Sequence, residues 1–159
     1  MDGTHELSQR VDRGGVYYNI EGENPVAVLR DIVQTVALPK TVDRESLLQA
    51  ILEREALSST ALGDGIAVPH PRNPVLSPEE ERIAVCFPRR PIPYAALDRR
   101  PVFVLFLILS ADTRSHLFAL SELSFLCRRA EFRDFLSQKP SRQEVTARIA
   151  REETSWKRD

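Results

Sequence analysis

Apolar positions along this chain change period several times, and each change marks an element. Val28, Leu29, Ile32, Val33 and Val36 recur at intervals of three and four residues, the spacing of one helical face. Asn24 stands ahead of them as an N-cap with Pro25 at the first helical position, and Pro39 follows their end. A second helix opens at Asp43, with Leu47, Leu48, Ile51 and Leu52 on its buried side and Arg54 in its last turn. Three apolar runs lack the helical period: 66–68, 83–87 and 102–109. Short continuous runs bounded by turn residues read as buried strands, the last of them as the central one. Val16-Tyr17-Tyr18-Asn19-Ile20, after the turn signal Arg13-Gly14-Gly15, reads as an edge strand. Pro88, Pro91 and Pro93 exclude regular pairing between the last two runs. Asp112 caps a helix from Thr113 to about Arg128 that buries Leu117, Leu120, Leu123 and Cys127 or their neighbours, and shorter helices near 131–137 and 141–152 finish the fold. Residues 1–14 are polar and read as a flexible leader, 15–152 as one domain, and 153–159 as a loose tail. Helices before, between and after strands predict an α/β architecture, a single sheet flanked by helices on both faces.

Composition narrows the function. The chain has 159 residues, 42% hydrophobic and 28% charged, with a net charge of −1. That charge gives no general attraction to nucleic acid or to an acidic membrane, although Arg89/Arg90, Arg99/Arg100 and Arg128/Arg129 form local basic pairs. Cys86 and Cys127 lie in apolar segments without a CxxC spacing, which reads as two buried thiols in a reducing, cytoplasmic setting. The first thirteen residues hold no apolar core of a secretory signal. The run 102–109 is too short to span a bilayer, so no membrane insertion is expected.

The candidate chemistry lies in three side chains. Gly63-Asp64-Gly65-Ile66-Ala67-Val68-Pro69-His70 is a glycine turn, a short strand and a histidine with proline on both sides. Proline fixes the backbone and prevents a helix, so His70 is held at a strand end, as a nucleophile requires. His116 falls in the first turn of the helix after the central strand, where helix dipoles attract anions and disfavour an imidazolium. If the two strands run in the same direction, the imidazoles converge at the carboxyl edge of the sheet, where α/β proteins bind ligands. Arg54 supplies a guanidinium fork for phosphoryl oxygens. Singly, each has a plainer reading. His70 reads as a hydrogen-bonded or solvated residue, His116 as a surface residue, and Arg54 as a partner of the adjacent acids. His5, in the polar leader, reads as a solvated residue without function.

Together these residues resemble a known family. Leu52-Glu53-Arg54-Glu55-Ala56-Leu57-Ser58-Ser59-Thr60 followed by Gly63 to His70 is similar to the signature of enzyme IIA of the phosphoenolpyruvate-dependent sugar phosphotransferase system, of the fructose/mannitol type and its nitrogen-regulatory branch. Asp112-Thr113-Arg114-Ser115-His116-Leu117 matches the family's second histidine, and the resemblance runs from about Tyr17 to Ile149. It implies a mixed sheet flanked by helices. It also implies His70 as acceptor of a phosphoryl group from the carrier HPr or its nitrogen-branch counterpart, with His116 and Arg54 supporting that group, and no metal or organic cofactor. Two departures stand out. Pro71-Arg72 follows His70 where the family usually has glycine, which removes an amide donor and adds a cation. The chain also shows no membrane-embedded IIC part and no cysteine-based IIB domain, and its leader is too short for the DNA-binding segment that precedes some relatives.

The reading favoured is a regulatory phosphocarrier of the nitrogen-branch kind. One alternative is a sugar-transport carrier that hands phosphate to a separate IIB protein. Another is an interaction domain without phosphoryl chemistry. A metallohydrolase is disfavoured, because two histidines are too few ligands and no HExxH spacing occurs.

Overall fold

A computed structural model describes residues 6–156. Five strands form one mixed sheet: β1 (Val16–Ile20), β2 (Ala61–Gly63), β3 (Ile66–Ala67), β4 (Arg82–Pro88) and β5 (Val104–Leu109). Their order is β1-β4-β5-β3-β2. β1 runs parallel to β4, β4 antiparallel to β5, β5 parallel to β3, and β3 antiparallel to β2. The six helices are α1 (Glu6–Gly14), α2 (Pro25–Thr35), α3 (Arg44–Leu57), α4 (Thr113–Cys127), α5 (Ala130–Ser137) and α6 (Arg142–Trp156).

The unbroken apolar run of β5 follows from its place at the sheet centre, buried on both sides. Leu105, Leu107 and Leu109, with Ala84 and Cys86 of β4, meet the apolar stripes of α2 and α3. Val104, Phe106 and Ile108, with Ile83, Val85 and Phe87, meet Leu7 and Val11 of α1, Leu123 and Leu126 of α4, Phe132 of α5, and Val145 and Ile149 of α6. Alternation along a strand thus divides one hydrophobic sequence between two cores. The caps act as the sequence predicts: Asn24 Oδ1 accepts from Ala27 N, Asp43 from Ser46 N and Asp112 from Ser115 N.

Four expectations need correction. The first concerns the leader: its residues 6–14 form α1, with Leu7 and Val11 fully buried. Arg10 is only 2% exposed, so a polar residue conceals a packed helix. Gly14 is required where α1 meets β4, because a Cβ there would collide with the Ile83 carbonyl. The second is the tail, since α6 continues to Trp156 and buries Glu153 completely. Glu153 accepts hydrogen bonds from Leu7 N and Ser8 N at 2.9 and 3.0 Å, capping α1 from across the molecule. Third, the glycine turn is a hairpin: Asp64 and Gly65, with φ of 56° and 85°, join β2 to β3. Finally, α4 turns Ala119, Leu123, Leu126 and Cys127 inward, while Leu117 is 56% exposed. Ile92 also makes an isolated antiparallel bridge with Val102 inside the proline-rich connection. His5 and residues 157–159 lie outside the described residues. Among the described residues no helix is long and apolar enough to cross a membrane.

Candidate functional site

The parallel pairing of β3 with β5, Ile66 opposite Val104 and Ala67 opposite Leu105, carries both strands to the same edge of the sheet. Past β3 the chain stays extended. Val68 N donates to Thr60 O, and Ile108 N donates to Pro69 O at 3.0 Å. His70 therefore emerges beside the end of β5, two residues before the turn that begins α4. Its imidazole lies 4.3 Å from that of His116, centroid to centroid, with the rings inclined by 48°. Arg72 N donates to Ala50 O at 3.4 Å and ties the segment after His70 to α3. One turn further along that helix, Arg54 completes the group. His70, His116 and Arg54 line one cavity of about 160 Å³ together with Arg72, Ile108 and Ser110.

The hydrogen bond of His70 defines its tautomer. Nδ1 lies 2.9 Å from Val68 O. A carbonyl only accepts, so Nδ1 carries the proton and Nε2 keeps the lone pair. Burial is the main cause that lowers the His70 pKa, and Arg54 lowers it further, against the opposing effects of the Val68 carbonyl and Glu55. His116 is lowered to about 4, by burial first and then by His70 and Arg54. Both rings are consequently neutral near pH 7. For His116, burial, His70 and the Arg54 guanidinium provide the cause that the sequence assigned to the helix N-terminus.

Arg54 does not pair with the neighbouring acids. Its Nη1 donates to Ser58 O at 2.8 Å, which satisfies a carbonyl at the end of α3. Glu55 faces away to other partners, accepting from Thr60 N, Thr60 Oγ1 and Tyr94 OH. These bonds fix the end of α3 against the strand pair that carries His70. The turn before His116 is also held: Ala111 N donates to Glu81 Oε2, and the buried Arg10 donates from Nη1 to Ser115 O. Neither Arg10 nor Glu81 carries a motif that would reveal this support in the sequence. Ser110, also unforeseen as a cavity residue, reads in sequence as an ordinary turn residue. Arg72 does line the cavity, in the position of the sequence departure noted above.

Both thiols are buried and free, and burial pushes the Cys127 pKa up to about 12. Neither is a nucleophile at neutral pH. Among the described residues no three His, Cys, Asp or Glu side chains gather as a metal site.

Comparison with known proteins points the same way as the geometry. The profile of the family "Phosphoenolpyruvate-dependent sugar phosphotransferase system, EIIA 2" matches residues 11–152. The chain is 36% identical over 140 residues to a nitrogen regulatory protein of Pseudomonas aeruginosa, covering 85% of this chain and 88% of that protein. It is 32% identical over 146 residues to the fructose-specific EIIABC component of Bacillus subtilis; there the match covers 88% of this chain but only 22% of the larger protein. The fold of the nitrogen regulatory protein IIA-Ntr from Neisseria meningitidis superposes with a TM-score of 0.79 at 24% identity, over 91% of this chain and 99% of that one. For IIA mannitol from Escherichia coli the TM-score is 0.64 at 19% identity, over 86% of this chain and 95% of that one.

Proposed function

The chain belongs to the EIIA 2 family of the phosphoenolpyruvate-dependent sugar phosphotransferase system, and from that premise we propose that it is a phosphohistidine carrier whose acceptor atom is His70 Nε2. The observation that carries this reading is the bond from His70 Nδ1 to Val68 O in a cavity shared with His116 and Arg54. It makes Nε2 the nucleophilic nitrogen without any proton having to leave.

The donor is an HPr-like carrier bearing a phosphohistidine. The Nε2 lone pair attacks phosphorus, the donor P–N bond breaks, and its electron pair returns to the donor imidazole. Nδ1–H keeps its bond to Val68 O throughout, so no general base is needed. Charge on the phosphoryl oxygens is met by the Arg54 guanidinium and by an N–H of neutral His116. The arriving negative charge opposes the causes that lower the His116 pKa and draws that value back upward.

A regulatory role in the cytoplasm is favoured over transport. Support for that comes from the 36% identity over 140 residues to a protein named nitrogen regulatory protein, against 32% over 146 residues to a fructose-specific EIIABC component. The transport alternative, transfer to a separate IIB protein, is supported by the solved complex of the mannitol IIA of Escherichia coli with phosphorylated IIB, a chain of the same fold.

Incubation with phosphoenolpyruvate, enzyme I and the carrier of its own cell should label the chain with an acid-labile, base-stable phosphoryl group. His70→Gln should abolish the label, and His116→Ala should slow its appearance about 10²–10³-fold. A wild-type chain that takes no label overturns the proposal and leaves the interaction-domain reading. Onward transfer to a IIB cysteine would establish transport rather than regulation.

A further inference from the structure

Ser110 follows β5 by one residue and is 4% exposed. Its backbone is fixed: Ser110 O accepts from Val75 N and Leu76 N, at 3.3 and 3.5 Å. Its side chain is not fixed by any polar contact. Among the described residues, Ser110 Oγ is the only buried side-chain polar atom without a hydrogen-bond partner. Buried hydroxyls are nearly always paired, and one left alone weakens the fold that contains it. Alanine would fill the same space without that cost. An orphaned hydroxyl is therefore a feature to be explained, and its position supplies the explanation. Ser110 lines the cavity that also holds His70, His116 and Arg54. Strand alternation places it on the same side as Ile108, which lines the cavity too and whose N–H bonds to Pro69 O next to His70.

We propose that Ser110 is a phosphoryl-oxygen ligand, whose hydroxyl donates to the group carried on His70 and finds its partner only in the phosphorylated state. This rests on the phosphocarrier reading and adds to it a third phosphoryl-oxygen contact, beside Arg54 and His116. A serine side chain exchanges between staggered positions without moving the backbone, so the hydroxyl is covered at rest and is drawn over the cavity when an anion enters. The contact is strongest when the phosphoryl group is present and absent when it is not. It therefore stabilises the phosphorylated form relative to the free one, and should lengthen the life of the phosphohistidine as well as speed its formation.

The test uses the full chain with two donors, the phosphorylated HPr-like carrier and potassium phosphoramidate, and compares wild type, Ser110→Ala, Ser110→Cys and Ser110→Thr. Ser110→Ala should keep or raise the melting temperature of the unphosphorylated protein. It should slow label formation and shorten the half-life of the label, with a combined loss of about ten- to a hundredfold. Cysteine, a weak donor of nearly the same shape, should behave like alanine, and threonine, which retains the hydroxyl, should recover activity. A Ser110→Ala chain labelled within twofold of wild type, with an unchanged half-life, overturns the proposal. So does a fall in the melting temperature of unphosphorylated Ser110→Ala, because the hydroxyl would then already be held by the fold. If neither donor labels the wild type, the phosphocarrier reading itself fails, and titration with inorganic phosphate, followed by the Ser110 and Ala111 amide resonances, decides the subsite separately. Binding at least fivefold weaker in Ser110→Ala supports the ligand role, and equal binding overturns it.

Discussion

Three influences act in one direction on the proton of His116: burial, His70 and Arg54, which together bring its pKa from the ordinary 6.5 to about 4. The sign of the consequence follows from linkage. Above pH 6.5 the ring is neutral in folded and unfolded chains alike, and contributes no pH dependence. As the pH falls from 6.5 towards 4, the unfolded chain takes up a proton that the folded chain refuses, so stability is lost across that window. His116→Gln removes this contribution. Urea unfolding at pH 7.5 and pH 5 should therefore show a smaller acid-induced loss for His116→Gln than for wild type, and equal losses would mean that the ring is not so disfavoured as a cation. The identity of both histidines was legible in the sequence, because a glycine turn, a proline-flanked histidine and a capped helix are local signals. The distance between them was not, since it depends on the direction in which β3 pairs with β5.

At the scale of elements, the first turn of α4 is held from below by residues remote in sequence. Arg10 and Glu81 are buried, 3.4 Å apart, and each grips the turn that leads to His116. Glu6 adds a bond to Arg10 at 2.8 Å, and the guanidinium stacks 5.1 Å from the Phe118 ring centroid. Losing Glu81 leaves Arg10 with Glu6 as its carboxylate but strips Ala111 N of its acceptor, at a cost of about 1–3 kcal/mol. Glu81→Ala should lower the unfolding free energy by about that amount. A Glu81→Ala chain within about 1 kcal/mol of wild type, a typical exposed-pair effect, would show that the pair is shared with solvent. The helices α2 and α3 were readable because their caps and apolar stripes agree. In α4, Leu123 and Cys127 are buried and Leu120 packs against the core as read, but Leu117 is exposed, since Leu117, Phe118, Leu120 and Phe125 leave apolar residues on more than one face. β2 was missed because three residues carry too little pattern to register as a strand.

On the scale of the whole molecule, the two ends of the described chain are joined. Glu153 of α6 caps Leu7 N and Ser8 N of α1 through both carboxylate oxygens, and α1 in turn packs on β4 through Gly14. Residues 6–14 and 153–156, which read as leader and tail, are thus parts of one layer over the sheet. Glu153→Ala leaves two buried amides without that acceptor and should cost about 1–3 kcal/mol; Glu153→Gln, with one carbonyl oxygen instead of two, should fall between. Thermal unfolding would measure both. Melting temperatures unchanged in the two variants would return α1 and the end of α6 to the status of loose ends. The polar composition of 1–14 hid this arrangement, because composition reports how hydrophilic a segment is and not what covers it.

The sequence by itself determined the class of fold, the helix caps, the doubly buried central strand and the residue types available for phosphoryl chemistry. Those features follow from local periodicity and from the dihedral limits of proline and glycine, which act over a few residues. Only the tertiary structure decided that two imidazoles, a guanidinium and an unpaired hydroxyl border one cavity, and that Arg10 and Glu153 are buried. Such properties depend on strand direction and on what lies across the sheet, and long-range pairing leaves no period in the chain to announce it.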